Sequence, residues 1–288
     1  MKIIYQLLNL YIEHGLKRTF LIVLNRFYRQ KPKSFAIVKQ IILNGKGLEI
    51  GGPSQIFTDN GIFPVYQSIN LLDNSNFSNH TLWNTQQEGY HYCYSHSQKI
   101  GYQYILDGIE MSPIPSRSYD FMLSSHVLEH IANPIKALYE WKRILKDNGY
   151  LILLLPHKDG TFDHLRPPTT IEHLIEDYSV NIQENDLTHL EEILSLHDLS
   201  RDTGAGSFQE FKSRSLNNFE NRALHHHVFT TRIAIKMIDY IKMEIICVEA
   251  IWPMHILVVA KNNSAYADQM NKAFFKSQLI SPFPSDNT

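Results

Sequence analysis

Eight of the fifteen histidines in this 288-residue chain fall between positions 157 and 228, a quarter of its length. Imidazole titrates near neutrality, so such an enrichment offers proton transfer or metal ligation. His157-Lys158-Asp159-Gly160 begins where an apolar strand-like run ends, and Asp163-His164-Leu165-Arg166 lies in the same loop. Asp186-Leu187-Thr188-His189 opens a helix with Asp186 as its cap, and His225-His226-His227 closes the segment. His157 is the first candidate for a general base, followed by Asp163 and His164. Arg166, His189 and His226 are candidates for holding a substrate. The bland alternative is that these imidazoles bond loop backbone in a lid. A His and Asp metal site is a third reading, without a tight ligand spacing to support it; His189 and His197, eight apart, fall two turns along one helix face.

A second concentration of signal lies upstream. Gly47-Leu48-Glu49-Ile50-Gly51-Gly52-Pro53-Ser54 reads as a buried strand running into a glycine turn, where backbone can approach a ligand closely. Pro53 stiffens that turn and removes one backbone donor. About seventy residues later comes Tyr119-Asp120-Phe121-Met122-Leu123-Ser124-Ser125, then His126-Val127-Leu128-Glu129-His130 and Asn133-Pro134. His126 to His130 matches the H-x-x-E-H pattern of a zinc peptidase. That pattern needs a helix presenting both histidines, whereas here it begins at the end of an apolar strand.

Together the two stretches resemble class I S-adenosylmethionine-dependent methyltransferases, well over residues 45–156 and loosely over 228–262. Glu49-Ile50-Gly51 matches the end of that family's first strand, and Tyr119-Asp120, Leu128-Glu129-His130 and Asn133-Pro134 fall in the order of its fourth-strand region. The resemblance implies S-adenosylmethionine as cofactor, bound by Glu49, Gly51, Gly52, Pro53, Ser54, Ser125 and His126. It implies an acidic ribose partner after the second strand, with Asn70 and Asp73 as candidates, and an adenine contact at Asp107 and Gly108. Pro53 and Gln55 stand where the family has further turn glycines. The implied activity is methyl transfer to oxygen of a small hydroxylated or glycan-type acceptor, with a histidine base. Transfer to nitrogen or carbon, and a non-catalytic scaffold, remain open beside it.

The expected fold is α/β: a doubly wound, Rossmann-like sheet of seven mostly parallel strands, the last antiparallel. Strands are expected at 47–51, 63–72, 102–106, 120–124, 150–155, 244–251 and 255–260, with helices at 135–146 and 230–243. Residues 45–262 form the expected methyltransferase domain, with 157–228 as an insertion on the substrate side. Residues 263–288 are expected to be a helix and tail, the last eight disordered. The first 44 residues read as a basic helical extension. Positions 1–39 carry eight Lys and Arg against Glu13, so the rest of a chain of net charge −2 is acidic. Such an extension suits peripheral contact with an anionic membrane, or a cap or homodimer contact. Near-zero net charge gives no bulk attraction to nucleic acid. Two cysteines, Cys93 and Cys247, and no visible signal peptide lead to a cytoplasmic expectation.

Overall fold

Apolar runs of five to eight residues become buried strands in the computed structural model, which describes residues 32–94, 100–276 and 280–287. The strands are β1 (Lys46–Ile50), β2 (Leu71–Asn76), β3 (Gly89–Cys93), β4 (Ile100–Ile105), β5 (Tyr119–Ser125), β6 (Leu145–Pro156), β7 (Glu244–Ile251) and β8 (His255–Lys261). They form one sheet in the order β3-β4-β2-β1-β5-β6-β8-β7. β4, β2, β1, β5 and β6 run parallel, while β8 runs antiparallel to both β6 and β7, and β3 antiparallel to β4.

Two expectations need correction. Among the described residues the sheet has eight strands instead of seven, because Gly89–Cys93 adds an edge strand whose mixed sequence, Gly-Tyr-His-Tyr-Cys, carries no aliphatic run. The second strand lies at Leu71–Asn76, not at 63–72. Its last four residues, Asp73, Asn74, Ser75 and Asn76, are polar yet buried, so hydrophobic patterning cannot mark them. Phe63, Val65, Tyr66 and Ile69 instead pack as a connecting segment under one face of the sheet.

Alternation along β6 shows how both faces are covered. Leu151, Leu153 and Leu155 point into a core shared with α2 (Pro134–Ile144), and Ile152 and Leu154 into a second core shared with Val38 and Ile42 of α1 (Phe35–Ile42). Asn133 caps α2, its side chain accepting from the Lys136 amide, and Pro134 takes the first helical position, where no donor is lost. Trp141 of α2 is fully buried, and its indole N–H donates to the Gly108 carbonyl at 2.9 Å, tying the helix to the loop after β4. The insertion contains α3 (Ile171–Ser179), α4 (Leu190–Leu196), α5 (Phe208–Leu216) and α6 (Asn218–Asn221). His189, not Asp186, stands at the cap position of α4. α7 (Thr231–Tyr240) then packs on the first core, and α8 (Lys272–Lys276) follows β8.

The end of the chain also differs from expectation. Phe283 is fully buried and stacks on the His157 ring at 4.0 Å between centroids. Asp286 accepts from the Thr231 amide (2.9 Å) and hydroxyl (2.6 Å), and Ser285 donates to Asp159. A segment rich in Ser and Pro lacks periodicity, so the one aromatic and one carboxylate that dock it leave no pattern. The expected basic helices before residue 32, with their membrane or dimer contact, lie outside the described residues. Among the described residues no helix is long and apolar enough to cross a membrane.

Truncating the buried Phe283 ring to Ala should cost about 3–5 kcal/mol of stability, the range for emptying an aromatic site. Chemical denaturation of wild type and variant would measure it. A midpoint unchanged between them would mean that the tail does not contribute to the folded core.

Candidate functional site

Parallel strands place their carboxyl ends on one edge of the sheet, and ligand crevices of such sheets form there. β1 ends at Ile50, level with Ser75 of β2 and Ser124 of β5. Gly51 follows with φ of +79°, and a Cβ there would stand 2.5 Å from a Val127 methyl, so the turn requires glycine. Glu49 is buried and holds the turn from below. Its carboxylate accepts from the Tyr66 hydroxyl (2.8 Å), the Tyr92 hydroxyl (2.6 Å) and the Ser54 amide (3.2 Å). Burial, against these hydrogen bonds, pushes Glu49 up to about 7.

Side-chain amides fix the rest of the turn. The Gly52 amide donates to Asn74 at 2.9 Å, and the Gly52 carbonyl faces the amides of Asn74, Asn76, Asn84 and Gln86 at 3.2–3.4 Å. Pro53, with Gln86, His91, Tyr92 and Gln103, lines a cavity of about 450 Å³.

Neither proposed ribose partner reaches this edge. Asn70 lies before β2, exposed, and donates to the Leu43 carbonyl. Asp73 sits inside β2 opposite Leu48, where Lys46 (2.7 Å), the Tyr119 hydroxyl (2.7 Å) and the Tyr102 amide (2.8 Å) already use it. The carboxyl end of β2 is Asn76, an amide bonded to Gln86. Asp107 and Gly108 do lie past β4. There Asp107 pairs with Arg222 of the insertion at 3.0 Å, and Arg222 also pairs with Glu184 and stacks over Phe77 and Phe219. Glu184 is pushed up to about 7, burial outweighing the Arg222 charge.

Past β5 the histidines gather. The Ser125 hydroxyl is buried with no hydrogen-bond partner among the described residues. His126, in left-handed conformation with φ of +53°, shares a 2.9 Å contact with His255, and burial followed by the neighbouring imidazoles pushes it down to about 3. Both Glu129 oxygens are buried without a hydrogen-bond partner among the described residues, with His130 Nε2 3.9 Å from one of them, and burial raises that carboxyl to about 7. His130 packs edge-on against Trp83 on one side and His225 on the other. His225 donates from Nδ1 to Asp163 at 2.5 Å. Burial alone would lower His225, but the Asp163 charge and hydrogen bond outweigh it and leave the imidazole raised; Asp163, in turn, is held at about 2 against its own burial. No hydrogen bond engages Nε2 of His225 among the described residues.

The insertion candidates separate into two groups. Asp163 joins the cluster around Glu129, His130 and His225. His157 does not: its ring is fully buried under Phe283, with Nε2 3.3 Å from Asp286 and Nδ1 accepting from the Asp159 amide. It is thereby removed as the first candidate for a base, because a docked tail covers it. His164 donates to Asp198 within the lid (2.9 Å), and His226 accepts from Asn218 (2.9 Å). Arg166 is 2 % exposed and fully engaged with Asp163, Glu192 and the carbonyls of His225 and His226, so it braces the site and presents no free donor fork to a substrate. His189 lies against His173. Sequence reasoning passed over Glu129, His130 and His225 as working groups. Their signal was a strand-end acid and histidine and one histidine in a run of three, with only the fold to join them.

Residues 67–153, from just before β2 to within β6, match a family model described as a methyltransferase domain. No curated protein matches the chain. Similar solved structures include S-adenosylmethionine-dependent methyltransferases from Mesorhizobium loti and Aquifex aeolicus. The first is 13 % identical, covers 79 % of this chain and 95 % of its own, and has a TM-score of 0.45. The second is 12 % identical, covers 80 % and 90 %, and has a TM-score of 0.40.

A carboxyl raised by burial binds its proton in the folded state at pH values where the unfolded chain has lost it. Its contribution to stability therefore falls as pH rises from the unfolded value, 4.5 for Glu129, through about 7. Glu129→Gln, which cannot ionise, should be more stable than wild type at pH 8, with the gain vanishing near pH 4.5. Denaturant midpoints across that range would check it; an equal gain at both ends would place the effect elsewhere.

Proposed function

We propose that this chain, a class I S-adenosylmethionine-dependent methyltransferase, methylates an oxygen of a small hydroxylated or glycan-type acceptor, with His225 as general base and Asp163 as its orienting partner. The observation that carries the reading is the 2.5 Å contact of His225 Nδ1 with the Asp163 carboxylate beside the strand end that bears His126, Glu129 and His130. A base held by a carboxylate on one nitrogen presents the other to an acceptor, the arrangement used wherever a hydroxyl must be activated.

The residues fit the cofactor. Gly51 keeps backbone open at the β1 end where a Cβ would clash, and the orphaned Ser125 hydroxyl lies at the end of β5. Glu49, Gly52, Pro53 and Ser54 build the turn beneath, and Asp107 and Gly108 face it from β4. With no carboxylate at the end of β2, Asp107 past β4 is the acidic group offered to sugar hydroxyls, and Arg222 would have to share it. S-adenosylmethionine, when bound, supplies a methyl on a sulfonium sulfur that departs as a neutral thioether.

His225 Nε2 takes the acceptor hydroxyl proton as the oxygen gains the methyl, and Asp163 stabilises the resulting imidazolium. Arg166 holds the geometry, its Nη1 3.0 Å from Asp163 and 2.8 Å from the His225 carbonyl. Glu129, whose carboxyl burial raises to about 7, can in its protonated form donate to an acceptor oxygen and help orient it. The polar wall of imidazoles, amides and Arg222 suits a hydroxylated acceptor better than an apolar one.

His225→Ala should lower turnover by about a hundredfold or more, with S-adenosylmethionine affinity by calorimetry unchanged. Gly51→Arg should instead abolish cofactor binding. Because the base must be unprotonated, activity should rise with pH through a value above the ordinary imidazole pKa, and Asp163→Asn should move that rise to lower pH. Full turnover by a folded His225→Ala variant would end this assignment.

A further inference from the structure

Four residues of the insertion that the methyl-transfer reading does not use converge on one point. His173 and Asp177 stand one turn apart on α3, His189 caps α4, and His227 lies two residues past His225. One ligand-type atom from each lies within 4.8 Å of all the others. His173 Nε2 is 3.0 Å from His189 Nε2 and 3.2 Å from Asp177 Oδ2, and His227 Nε2 is 3.7 Å from that same oxygen. Ligands about 2.0–2.2 Å from a tetrahedral zinc ion stand roughly 3.3 Å apart. The observed separations straddle that value.

The polar bookkeeping of the cluster is incomplete without a cation. Asp177 Oδ2 is buried with no hydrogen-bond partner among the described residues. The two facing Nε2 atoms of His173 and His189 can share only one proton. No Lys or Arg pairs with Asp177 among the described residues; its ion-pair partners there are the imidazoles of His173 and His227. The His227 Nε2 contact with the Ala132 carbonyl, 3.0 Å, would be exchanged for the ion on binding, and Asn133 steadies the Asp177 backbone by donating to its carbonyl at 3.1 Å.

We propose that His173, Asp177, His189 and His227 form a tetrahedral site for a divalent transition metal, zinc by preference, that clips the insertion together. Three imidazole nitrogens and one carboxylate oxygen suit zinc, whereas magnesium and calcium call for oxygen ligands. Four protein ligands leave no open position, the mark of a structural site. The ion joins α3, the start of α4 and the stretch after His225, and so fixes the backbone that carries the proposed base. The site stands on its own geometry, whatever the reaction.

The test uses the full chain without a histidine tag, stripped of metal and then given zinc alone or cobalt(II) alone. Zinc should be retained through desalting at roughly one ion per chain, measured by elemental analysis. Cobalt(II) should give the visible ligand-field absorption of tetrahedral coordination. His173→Ala and His189→Ala should lose the bound zinc, while His164→Ala, outside the cluster, should keep it. If the ligand variants do not fold, the wild-type cobalt spectrum decides alone. Octahedral cobalt, no retained zinc in wild type, or undiminished zinc in a folded His189→Ala variant would overturn the site.

Discussion

The structure at the strand ends depends on a guanidinium taken out of water. Arg166 is buried with its charge matched by Asp163 and Glu192, and two further donor positions go to the carbonyls of His225 and His226. A buried charge is tolerated only when its partners and hydrogen bonds are complete, and removing one partner of such a pair typically costs about 3–5 kcal/mol. That requirement forces the loop after β6, α4 and the triple-histidine stretch into a single arrangement. Asp163 serves Arg166 and His225 at once, and together they hold its carboxyl low against its own burial. The charge network thus adds to the apolar contact that Leu174 and Ile171 of α3 make with the first core in holding the insertion onto the domain.

The glycine turn is built by different means. Glycines normally leave a strand-end loop free to follow a ligand, but here four side-chain amides converge on the Gly52 carbonyl and Glu49 is clamped by two tyrosines. The polar residues of β2 are the source of that lattice. Asn74 and Asn76 are spent on shaping the turn, so no carboxylate stands at the end of the strand. The acid past β4, Asp107, is itself paired with Arg222, which reaches it from the insertion. The glycine-turn end and the histidine cluster are therefore not independent: residues of one insertion contact both, Arg222 at Asp107 and Arg166 at Asp163.

Residues 45–51 and 119–134 carried the domain's identity in local form, since a strand, its glycine turn and a capped helix are decided by neighbours in sequence. The amphipathic spacing of Ala137, Leu138, Trp141, Ile144 and Leu145 likewise needs no partner to be read. The buried polar strand β2 and the aromatic edge strand β3 were not legible, because burial there is supplied by flanking strands and not by the residues' own character. The docked tail was invisible for a similar reason: Phe283 and Asp286 matter only through His157 and Thr231, more than fifty residues away in sequence.

The sequence by itself determined the doubly wound domain, the position of its glycine turn and the concentration of imidazoles between 157 and 228. Only the tertiary structure decided what each imidazole does. It buried His157 beneath the tail, set His225 against Asp163 across sixty-two positions, and faced His173 toward His189. Histidine has the same intrinsic chemistry at every one of these places. Its role is set by which charges and which solvent remain around it once the chain has closed, and those are long-range quantities that no local pattern contains.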